Sequence, residues 1–193
     1  MAQKFVWDDA LLLDDQLSEE ERQIRDSIAS FAQAELMPRI LNWNREETFD
    51  PDIMKEFGSL GILGATIPDY GCAGIGRVAY GLACRELERV DTAFRSAVGV
   101  QTGLAMSAIY DFGSAEQKDR FLPGMREGSL IGCFGLTEPD HGSDAGALQT
   151  RAKSCDGGYK LNGTKVWITH SPIANLLIVW ARDDSGSIGG YIL

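Results

Sequence analysis

The stretch that decides the fold is Ile131-Gly-Cys-Phe-Gly-Leu-Thr-Glu-Pro-Asp-His-Gly-Ser-Asp144. It begins as a strand-like apolar run and turns at Thr137–Pro139 into a loop rich in hydroxyl and acidic side chains. The chain before it has helical periodicity, and the chain after it has the pattern of strands. The backbone N–H groups of a loop at such a junction are not committed to a helix or a sheet, so the loop is well placed to hold a flat ligand with polar edges.

Composition limits the classes of function. The chain has 193 residues, of which 44% are hydrophobic and 24% are charged, as in ordinary globular proteins. Its formal net charge of -10 argues against general nucleic-acid binding, which requires a cationic surface. No apolar run approaches the ~20 residues of a membrane span, and we expect no secretory signal because the first residues lack a basic segment followed by an apolar core.

Cysteine and histidine usage argues against disulfides and zinc. The 4 cysteines are widely spaced without a Cys-x-x-Cys pair, and the chain has only 2 histidines. We therefore expect free thiols in a reducing compartment and no metal site. Cys133 and His141 lie in or beside the loop, but the sequence specifies no Cys–His–acid arrangement for a thiol nucleophile.

Residues 1–127 are predicted to form a helical domain. Ser18-Glu-Glu-Glu21 has the capping-box pattern and opens an amphipathic helix over 19–36, which Pro38 kinks or interrupts. Residues 1–17 are predicted to be an irregular arm. Further helices are predicted at 51–57, 78–90, 93–110 (apolar nearly all round and therefore buried) and 115–122 (opened by a second capping box at Ser114–Gln117), with loop over 58–76.

Residues 128–193 are predicted to form an antiparallel β-domain. Strands are predicted at 130–136, 148–154 and 176–181. A turn then leads into a last strand, which is truncated because the sequence stops at Leu193. Tyr159–Ile168 is predicted to be a hairpin with Asn162-Gly163 at a two-residue type I′ turn. The predicted fold class is α+β, a helical domain followed by an incomplete antiparallel β-domain, and we expect the chain to be part of a longer protein.

Two short stretches combine hydroxyl groups with apolar surface where strands end: Thr137–Asp144 and Trp167–Thr169. A flavin ring requires such a setting, with an apolar face and with hydrogen-bond donors along its pyrimidine edge and at N5. In the alternative interpretation the polar residues only stabilise turns and Trp167 packs in a core. The residue pattern by itself favours the alternative.

Arg95 and Ser96 form a second candidate site near the start of an apolar helix. Arg95 extends to solvent, pairs with Glu88 or Asp91, or binds a ligand carboxylate, and general frequencies favour the ion pair. Glu88 by default lies on a solvated helix face.

Several separated blocks resemble the acyl-CoA dehydrogenase family. They are Tyr110–Lys118 with Phe121–Pro123, Gly132–Pro139 with Gly142–Asp144, and Leu161–Thr169. Within that family, the glutaryl-CoA dehydrogenases are the most similar, through Leu36–Leu41, Gly71–Gly74, Arg85–Asp91 and Phe94–Ala97. The similarity extends over essentially the whole chain.

The resemblance implies a cofactor and a set of site residues. FAD is expected to lie against Phe134, Gly135, Leu136, Thr137, Glu138, Pro139, Gly142, Ser143, Trp167, Ile168 and Thr169. Thr137 is expected at the pyrimidine edge, Thr169 at N5 and Ser143 in contact with the acyl-CoA. Arg95 and Ser96 are expected to bind the distal carboxylate of glutaryl-CoA, with Glu88 nearby. The family's catalytic glutamate lies in a C-terminal four-helix domain that this chain lacks, so no residue here is assigned as the base and this chain alone is expected to be inactive.

The implied reaction is oxidative decarboxylation of glutaryl-CoA to crotonyl-CoA and CO2, a step of lysine and tryptophan catabolism. An electron-transfer flavoprotein would accept the electrons, and the full-length protein would be a homotetramer in the cytoplasm of a bacterium or the mitochondrial matrix of a eukaryote. The alternatives are an acyl-CoA dehydrogenase for a neutral short or branched acyl chain, an acyl-CoA oxidase, and a non-catalytic helical interaction module.

Overall fold

The computed structural model describes Phe5 and residues 7–193, with Asp8 described for its backbone alone. The helices in this part of the chain are α1 Leu13–Gln16, α2 Glu19–Phe31, α3 Met37–Glu46, α4 Ile53–Ser59, α5 Arg77–Glu88, α6 Thr92–Gly99, α7 Ser107–Phe112 and α8 Ala115–Arg126. The strands are β1 Gly132–Gly135, β2 Arg151–Cys155, β3 Gly158–Asn162, β4 Leu176–Arg182 and β5 Ile188–Ile192. Short 3-10 turns cover Trp7–Asp9 and Ala145–Ala147, and π-helical segments cover Ala32–Leu36 and Val100–Met106.

The chain forms two compact units. The first contains the residues up to Phe49 together with Ile75–Arg95, and the second contains Asp50–Gly74 together with Ser96–Leu193. These units group residues that are close in space. The division of the sequence into domains 1–127 and 128–193 is a separate matter and stays a prediction.

The first unit is built on α2 and α5, which pack against each other. Helix α2 begins where the capping box predicts, because Ser18 Oγ accepts a hydrogen bond from the Glu21 N–H at 3.2 Å and the Glu21 carboxylate accepts one from the Ser18 N–H at 2.7 Å. The apolar faces of these helices are buried as their periodicity predicts. They contribute Ile28, Ala79, Ala83 and Leu87 to the core.

Pro38 neither ends nor interrupts the helical run that starts at Glu19. The chain widens into π-helical turns over Ala32–Leu36 and continues directly as α3, with Pro38 in its first turn. Pro38 has no N–H to donate, and the π-helical turns just before it already depart from the regular i to i−4 hydrogen-bond ladder.

The predicted irregular arm is partly helical. Residues 1–4 and 6 lie outside the described part of the chain, but α1 forms at Leu13–Gln16. The Asp9 carboxylate accepts hydrogen bonds from the N–H groups of Leu13 at 2.7 Å and Asp14 at 2.9 Å. Such side-chain capping stabilises the single turn of α1, which the pattern of apolar residues in the sequence does not predict.

The second unit contains the buried helical run predicted at 93–110, from Ser96 onward. Its π-helical segment carries Gln101, which is fully buried. The Gln101 amide donates to the carbonyls of Met125 at 2.9 Å and Leu130 at 2.8 Å, and it accepts from the Gly132 N–H at 2.8 Å. Gln101 therefore joins the end of α8 to the residues at the start of β1.

Helix α8 is longer than predicted. Its capping box is present, with Ser114 Oγ accepting from the Gln117 N–H at 3.2 Å and the Gln117 side chain accepting from the Ser114 N–H at 2.9 Å. The helix passes through Pro123 and ends at Arg126. Asp119, whose carbonyl loses its partner at the proline, is exposed, so water can satisfy that group.

The sheet is mixed rather than purely antiparallel, which refines the predicted α+β fold class. Strand β4 runs parallel to β1, with Gly132 opposite Leu176, and antiparallel to β5. Strands β2 and β3 form an antiparallel pair, and β2 meets β4 at the Arg151–Arg182 pairing. Parallel strands need a long connection, and the one between β1 and β4 carries both candidate flavin segments.

The predicted hairpin with its turn at Asn162-Gly163 is wrong. The hairpin joins β2 to β3 through Asp156-Gly157, and Cys155 pairs with Gly158 across that turn. Gly157 has a φ of 83°, the left-handed conformation that a tight turn requires. Asp-Gly and Asn-Gly are both strong turn signals, and the pairing partner supplied by β2 selects the first.

No helix in the described part of the chain is long and apolar enough to cross a membrane. Among the same residues there is also no cluster of three or more His, Cys, Asp or Glu side chains that could hold a metal ion.

Candidate functional site

The loop that follows β1 closes on itself in a tight turn. The Glu138 N–H donates to the His141 carbonyl at 3.1 Å, and the His141 N–H donates back to the Glu138 carbonyl at 3.2 Å. Pro139 and Asp140 form the tip between them and are exposed. Gly142 and Ser143, which follow the turn, are exposed as well.

The two segments predicted to line one site are adjacent in the structure. The Val166 N–H donates to the Thr137 carbonyl at 3.0 Å, and Lys165 Nζ donates to the Leu136 carbonyl at 2.9 Å. The connection then runs back beside β1, and the Leu176 N–H reaches the Ile131 carbonyl at 3.1 Å. Residues 165–175, which run back beside β1 to the start of β4, are called the return segment. The parallel arrangement of β1 and β4 therefore brings the loop after β1 together with the start of this return segment.

A buried carboxylate holds these segments. Glu138 is only 5% exposed, and its oxygens accept from Lys165 Nζ at 2.9 Å, from the N–H groups of Gln149 at 2.6 Å and Thr150 at 2.8 Å, and from the Thr150 hydroxyl. Burial by itself raises the pKa of this carboxyl, but the hydrogen bonds from Thr150, Gln149 and Lys165 outweigh burial and lower the pKa to about 2. The group is therefore an anion at any physiological pH.

This ion pair gives a pH-dependent stability. The pKa of Glu138 lies below its ordinary value of 4.5, so its stabilisation is fully present above that value and is lost as the pH falls toward 2. Between about pH 6 and about pH 3 the wild-type protein should lose about 2 kcal/mol of unfolding free energy through this group, and Glu138→Gln should not. Urea unfolding at both pH values measures the difference, and equal slopes for the two proteins would refute it.

The same loop leaves hydrogen-bond donors uncommitted. Within the described residues, no hydrogen bond engages the backbone N–H or hydroxyl of Thr137, the hydroxyl of Thr169 or the hydroxyl of Ser143. Thr169 and Ser143 are exposed and Thr137 is half-buried. The alternative in which these groups serve only to stabilise turns therefore lacks the internal bonds that it requires.

Trp167 does not pack in a core. Its side chain is 92% exposed, and its backbone has a φ of 59°, a region that bulky residues rarely adopt. An exposed aromatic ring in a strained backbone conformation is the kind of feature that occurs at ligand sites. Phe134 differs, because it is half-buried, packs against Trp180 with ring centroids 5.7 Å apart and lies against the hydrophobic core.

The remaining residues predicted to contact FAD at the end of β1 and in the return segment are buried or half-buried. Gly135 is buried at the end of β1, where its neighbours include the Lys165 side chain, and Leu136 is half-buried. Ile168 is half-buried, and its carbonyl accepts a hydrogen bond from the Ser171 N–H at 3.1 Å. These residues can contribute main-chain and apolar surface.

Three residues of this region were absent from the sequence-based set. Lys165 and Thr150 complete the Glu138 network, and His170 is only 7% exposed, with its Nδ1 3.0 Å from the Gly132 carbonyl. Burial lowers the pKa of His170 and favours the neutral imidazole. The available signal was a lysine and a glutamate of opposite charge, one in each of the two motifs.

Arg95 pairs with Glu88 in the first unit. Its Nε donates to the Glu88 carboxylate at 2.8 Å, and the Thr92 hydroxyl donates to the other carboxylate oxygen at 2.7 Å. The hydrogen bond from Arg95, and then that from Thr92, lower the pKa of Glu88. Asp91 instead accepts from the Ala93 N–H at 2.8 Å and caps α6. The ion-pair interpretation of Arg95 with Glu88 is thus confirmed.

The pair does not use all of the arginine. The Arg95 side chain is 42% exposed, and within the described residues its two Nη groups make no hydrogen bond. A guanidinium with a free end can still bind a carboxylate through those groups. Ser96, the next residue, is half-buried and has no side-chain hydrogen bond among the described residues.

Two family models match this chain: "Acyl-CoA dehydrogenase, N-terminal domain" at residues 18–129 and "Acyl-CoA dehydrogenase, middle domain" at residues 133–192. The chain belongs to the acyl-CoA dehydrogenase family. The resemblance of its motifs to that family is confirmed.

Individual relatives differ in what their names say they act on. The chain is 35% identical over 175 residues to the mitochondrial isovaleryl-CoA dehydrogenase of Pongo abelii, covering 89% of this chain and 41% of that protein. It is 36% identical over 170 residues to the mitochondrial short-chain specific acyl-CoA dehydrogenase of Mus musculus, covering 88% of this chain and 41% of that protein. A solved structure of a glutaryl-CoA dehydrogenase from Mycobacterium smegmatis in complex with FADH2 superposes with a TM-score of 0.92 at 44% identity, covering 95% of this chain and 47% of that one. The chain thus spans less than half the length of these proteins.

Proposed function

We propose that the full-length protein oxidises glutaryl-CoA and decarboxylates the product to crotonyl-CoA and CO2. The observation that carries this proposal concerns Arg95, whose half-exposed guanidinium donates only its Nε–H to Glu88. Burying a cation near an acyl chain is unfavourable unless the chain ends in an anion, so an arginine with free Nη groups favours a dicarboxylic acyl-CoA. The similarity to the Mycobacterium smegmatis enzyme supports the same substrate.

We further propose FAD as the cofactor, and the residues present fit it. Thr137 offers an unused N–H and hydroxyl for the pyrimidine edge, Thr169 offers an unused hydroxyl for N5, and Trp167 offers an exposed aromatic face. The similar glutaryl-CoA dehydrogenase was solved with FADH2, which supports this assignment. When bound, FAD supplies the hydride acceptor that oxidation of the acyl chain requires.

The chain's own residues then bind and orient the substrate. In the first unit, the free Nη groups of Arg95 bind the distal carboxylate. In the second unit, the hydroxyl groups of Ser96 and Ser143 make no hydrogen bond among the described residues and serve as donors to the acyl-CoA. Glu88 limits the net positive charge at Arg95, so the carboxylate is held without being trapped and CO2 can leave.

No residue of this chain is assigned as the base that removes the α-proton. Glu138 is unsuitable because its pKa is about 2 and donors surround both of its oxygens. Cys133 is buried, and burial raises the pKa of its thiol, which argues against a thiolate nucleophile.

The second candidate function is oxidation of a neutral short or branched acyl chain. The Arg95–Glu88 pair favours it, because two opposite charges 2.8 Å apart leave little net charge for a substrate carboxylate. The names of the relatives from Pongo abelii and Mus musculus also favour it.

Product analysis of the full-length protein with glutaryl-CoA tests the proposal. We expect crotonyl-CoA and CO2 in equal amounts. Glutaconyl-CoA without CO2 would contradict decarboxylation, and turnover of butyryl-CoA or isovaleryl-CoA alone would establish the second candidate. Peroxide formed during turnover would indicate an oxidase, and the absence of a flavin absorption band in the purified protein would favour an interaction module.

Three further properties stay predictions from the resemblance. They are an electron-transfer flavoprotein as the electron acceptor, a homotetrameric assembly, and a location in the bacterial cytoplasm or the mitochondrial matrix. Reduction of a purified electron-transfer flavoprotein by the substrate-reduced protein would test the first of them.

A further inference from the structure

We infer that the buried Glu138–Lys165 ion pair is a positioning device that sets the geometry of the flavin-facing segments, and so the reactivity of the bound flavin. This inference rests on the proposed function, because it concerns the same cofactor site. Neither residue is proposed to touch a reacting atom. Both act through the main chain that they hold.

The pair is placed where it controls two segments at once. Glu138 follows Thr137 directly, and Lys165 precedes the stretch Val166–Thr169. Lys165 Nζ lies 2.9 Å from both the Leu136 carbonyl and a Glu138 carboxylate oxygen. With the Val166 N–H on the Thr137 carbonyl at 3.0 Å, consecutive main-chain groups of the loop are fixed to consecutive residues of the return segment.

This arrangement decides which groups remain for a ligand. The carbonyls of Leu136 and Thr137 are both turned toward the return segment and used there. A peptide unit whose carbonyl is held on one side presents its neighbouring N–H in a defined direction, since the peptide plane is rigid. The uncommitted Thr137 N–H shares a peptide unit with the Leu136 carbonyl and is therefore oriented by Lys165, which Glu138 holds in place.

Burial makes the pair sensitive to the loss of either charge. The side chains of Glu138 and Lys165 are 5% and 11% exposed. Removing one partner leaves the other charge buried without compensation, whereas removing both charges together does not. A glutamine at position 138 keeps one acceptor oxygen, which can still accept from the Thr150 hydroxyl and N–H. Its NH2 group replaces the oxygen that accepted from the Gln149 N–H, so that bond is lost.

Three variants of the full-length holoprotein test the inference: Glu138→Gln, Lys165→Met and the double variant. Each is compared with wild type at matched FAD occupancy, by the rate of flavin reduction at saturating glutaryl-CoA or butyryl-CoA and by the reduction potential of the bound flavin. We expect each single variant to reduce its flavin at least tenfold more slowly with a shifted potential. The double variant should recover stability but not the reduction rate or the potential, because it has no Nζ to donate to the Leu136 carbonyl.

Glu86→Gln is the matched control. Glu86 is also buried, at 3% exposure, and it is paired with Arg85 at 2.8 Å and Arg89 at 3.2 Å in the first unit. Its variant should lower thermal stability while leaving the flavin potential and reduction rate unchanged. Thr150→Val, which removes only the hydroxyl that donates to Glu138, replaces any single variant that fails to fold and should give a smaller change in the same direction.

The outcomes separate the inference from the function on which it rests. Variants that lose stability but keep the wild-type potential and reduction rate would overturn the positioning role, since a merely structural pair has that effect. A wild-type protein that contains no FAD, or that oxidises no acyl-CoA, would overturn the proposed function instead.

Discussion

Replacing Arg95 with glutamine in the full-length protein is expected to lower kcat/KM for glutaryl-CoA about 100-fold while changing that for butyryl-CoA less than about threefold, because a hydrogen-bonded ion pair with the substrate is worth up to about 3 kcal/mol. Glutamine can place an N–H donor where Arg95 Nε lies, next to Glu88, but it removes the charge and both Nη groups. The acyl chain of butyryl-CoA ends in an uncharged methyl group, so this substrate loses no ion pair when Arg95 is replaced. Steady-state kinetics with both substrates measures the ratio.

Arg89→Gln is the matched control for this prediction. Arg89 is also an arginine that pairs with a glutamate in the first unit, at 3.2 Å from Glu86, but it is not proposed to contact substrate. Its variant should turn over both substrates at nearly wild-type rates. If Arg95→Gln lowers kcat/KM equally for both substrates, Arg95 acts on protein stability through its ion pair with Glu88. A neutral acyl chain then becomes the better substrate proposal.

Replacing Gly128 with alanine is expected to destabilise the protein by about 2 to 5 kcal/mol, because the left-handed conformation costs a side chain about 1 to 2 kcal/mol and overpacking adds about 1 to 3 more. Gly128 has a φ of 73° just after α8. A Cβ there would lie 2.1 Å from the carbonyl oxygen of Met54, which is backbone and cannot rotate away. Urea unfolding measures the change.

Gly61→Ala separates the two contributions. Gly61 has a φ of 71°, nearly the same conformation, but a Cβ there would meet nothing within 4 Å. It should therefore cost only about 1 to 2 kcal/mol, the conformational part. Equal losses at the two positions would mean that Met54 and α4 move aside, and that the contact at Gly128 is not a fixed constraint.

Local features were predictable because their causes are local. The capping boxes at Ser18 and Ser114 each join residues three apart, and the helices begin where the boxes stand. The buried strand β4 follows from its continuous apolar run. The Asp91 cap and the pairing of Arg95 with Glu88 also lie within one short stretch of chain, which limits the partners available.

Features that depend on a distant partner were mispredicted or missed. Two turn dipeptides, Asp156-Gly157 and Asn162-Gly163, carry equivalent local signals, and only pairing with β2 distinguishes them. At Gly163 a Cβ would lie 2.3 Å from Thr150 Oγ1, so that glycine serves a close approach between segments rather than a turn. The parallel pairing of β1 with β4 likewise leaves no mark on either strand's own sequence.

The sequence by itself determined the family, most of the helices and strands, and the two stretches that form the candidate flavin site. It did so because periodicity, caps and motifs are written in neighbouring residues. Only the tertiary structure decided that the loop at 131–144 meets residues 165–169, and that the buried Glu138–Lys165 pair holds them together. The bonds that join these stretches link residues far apart in the chain, and such pairings are selected by the packing of the whole sheet rather than by any local preference.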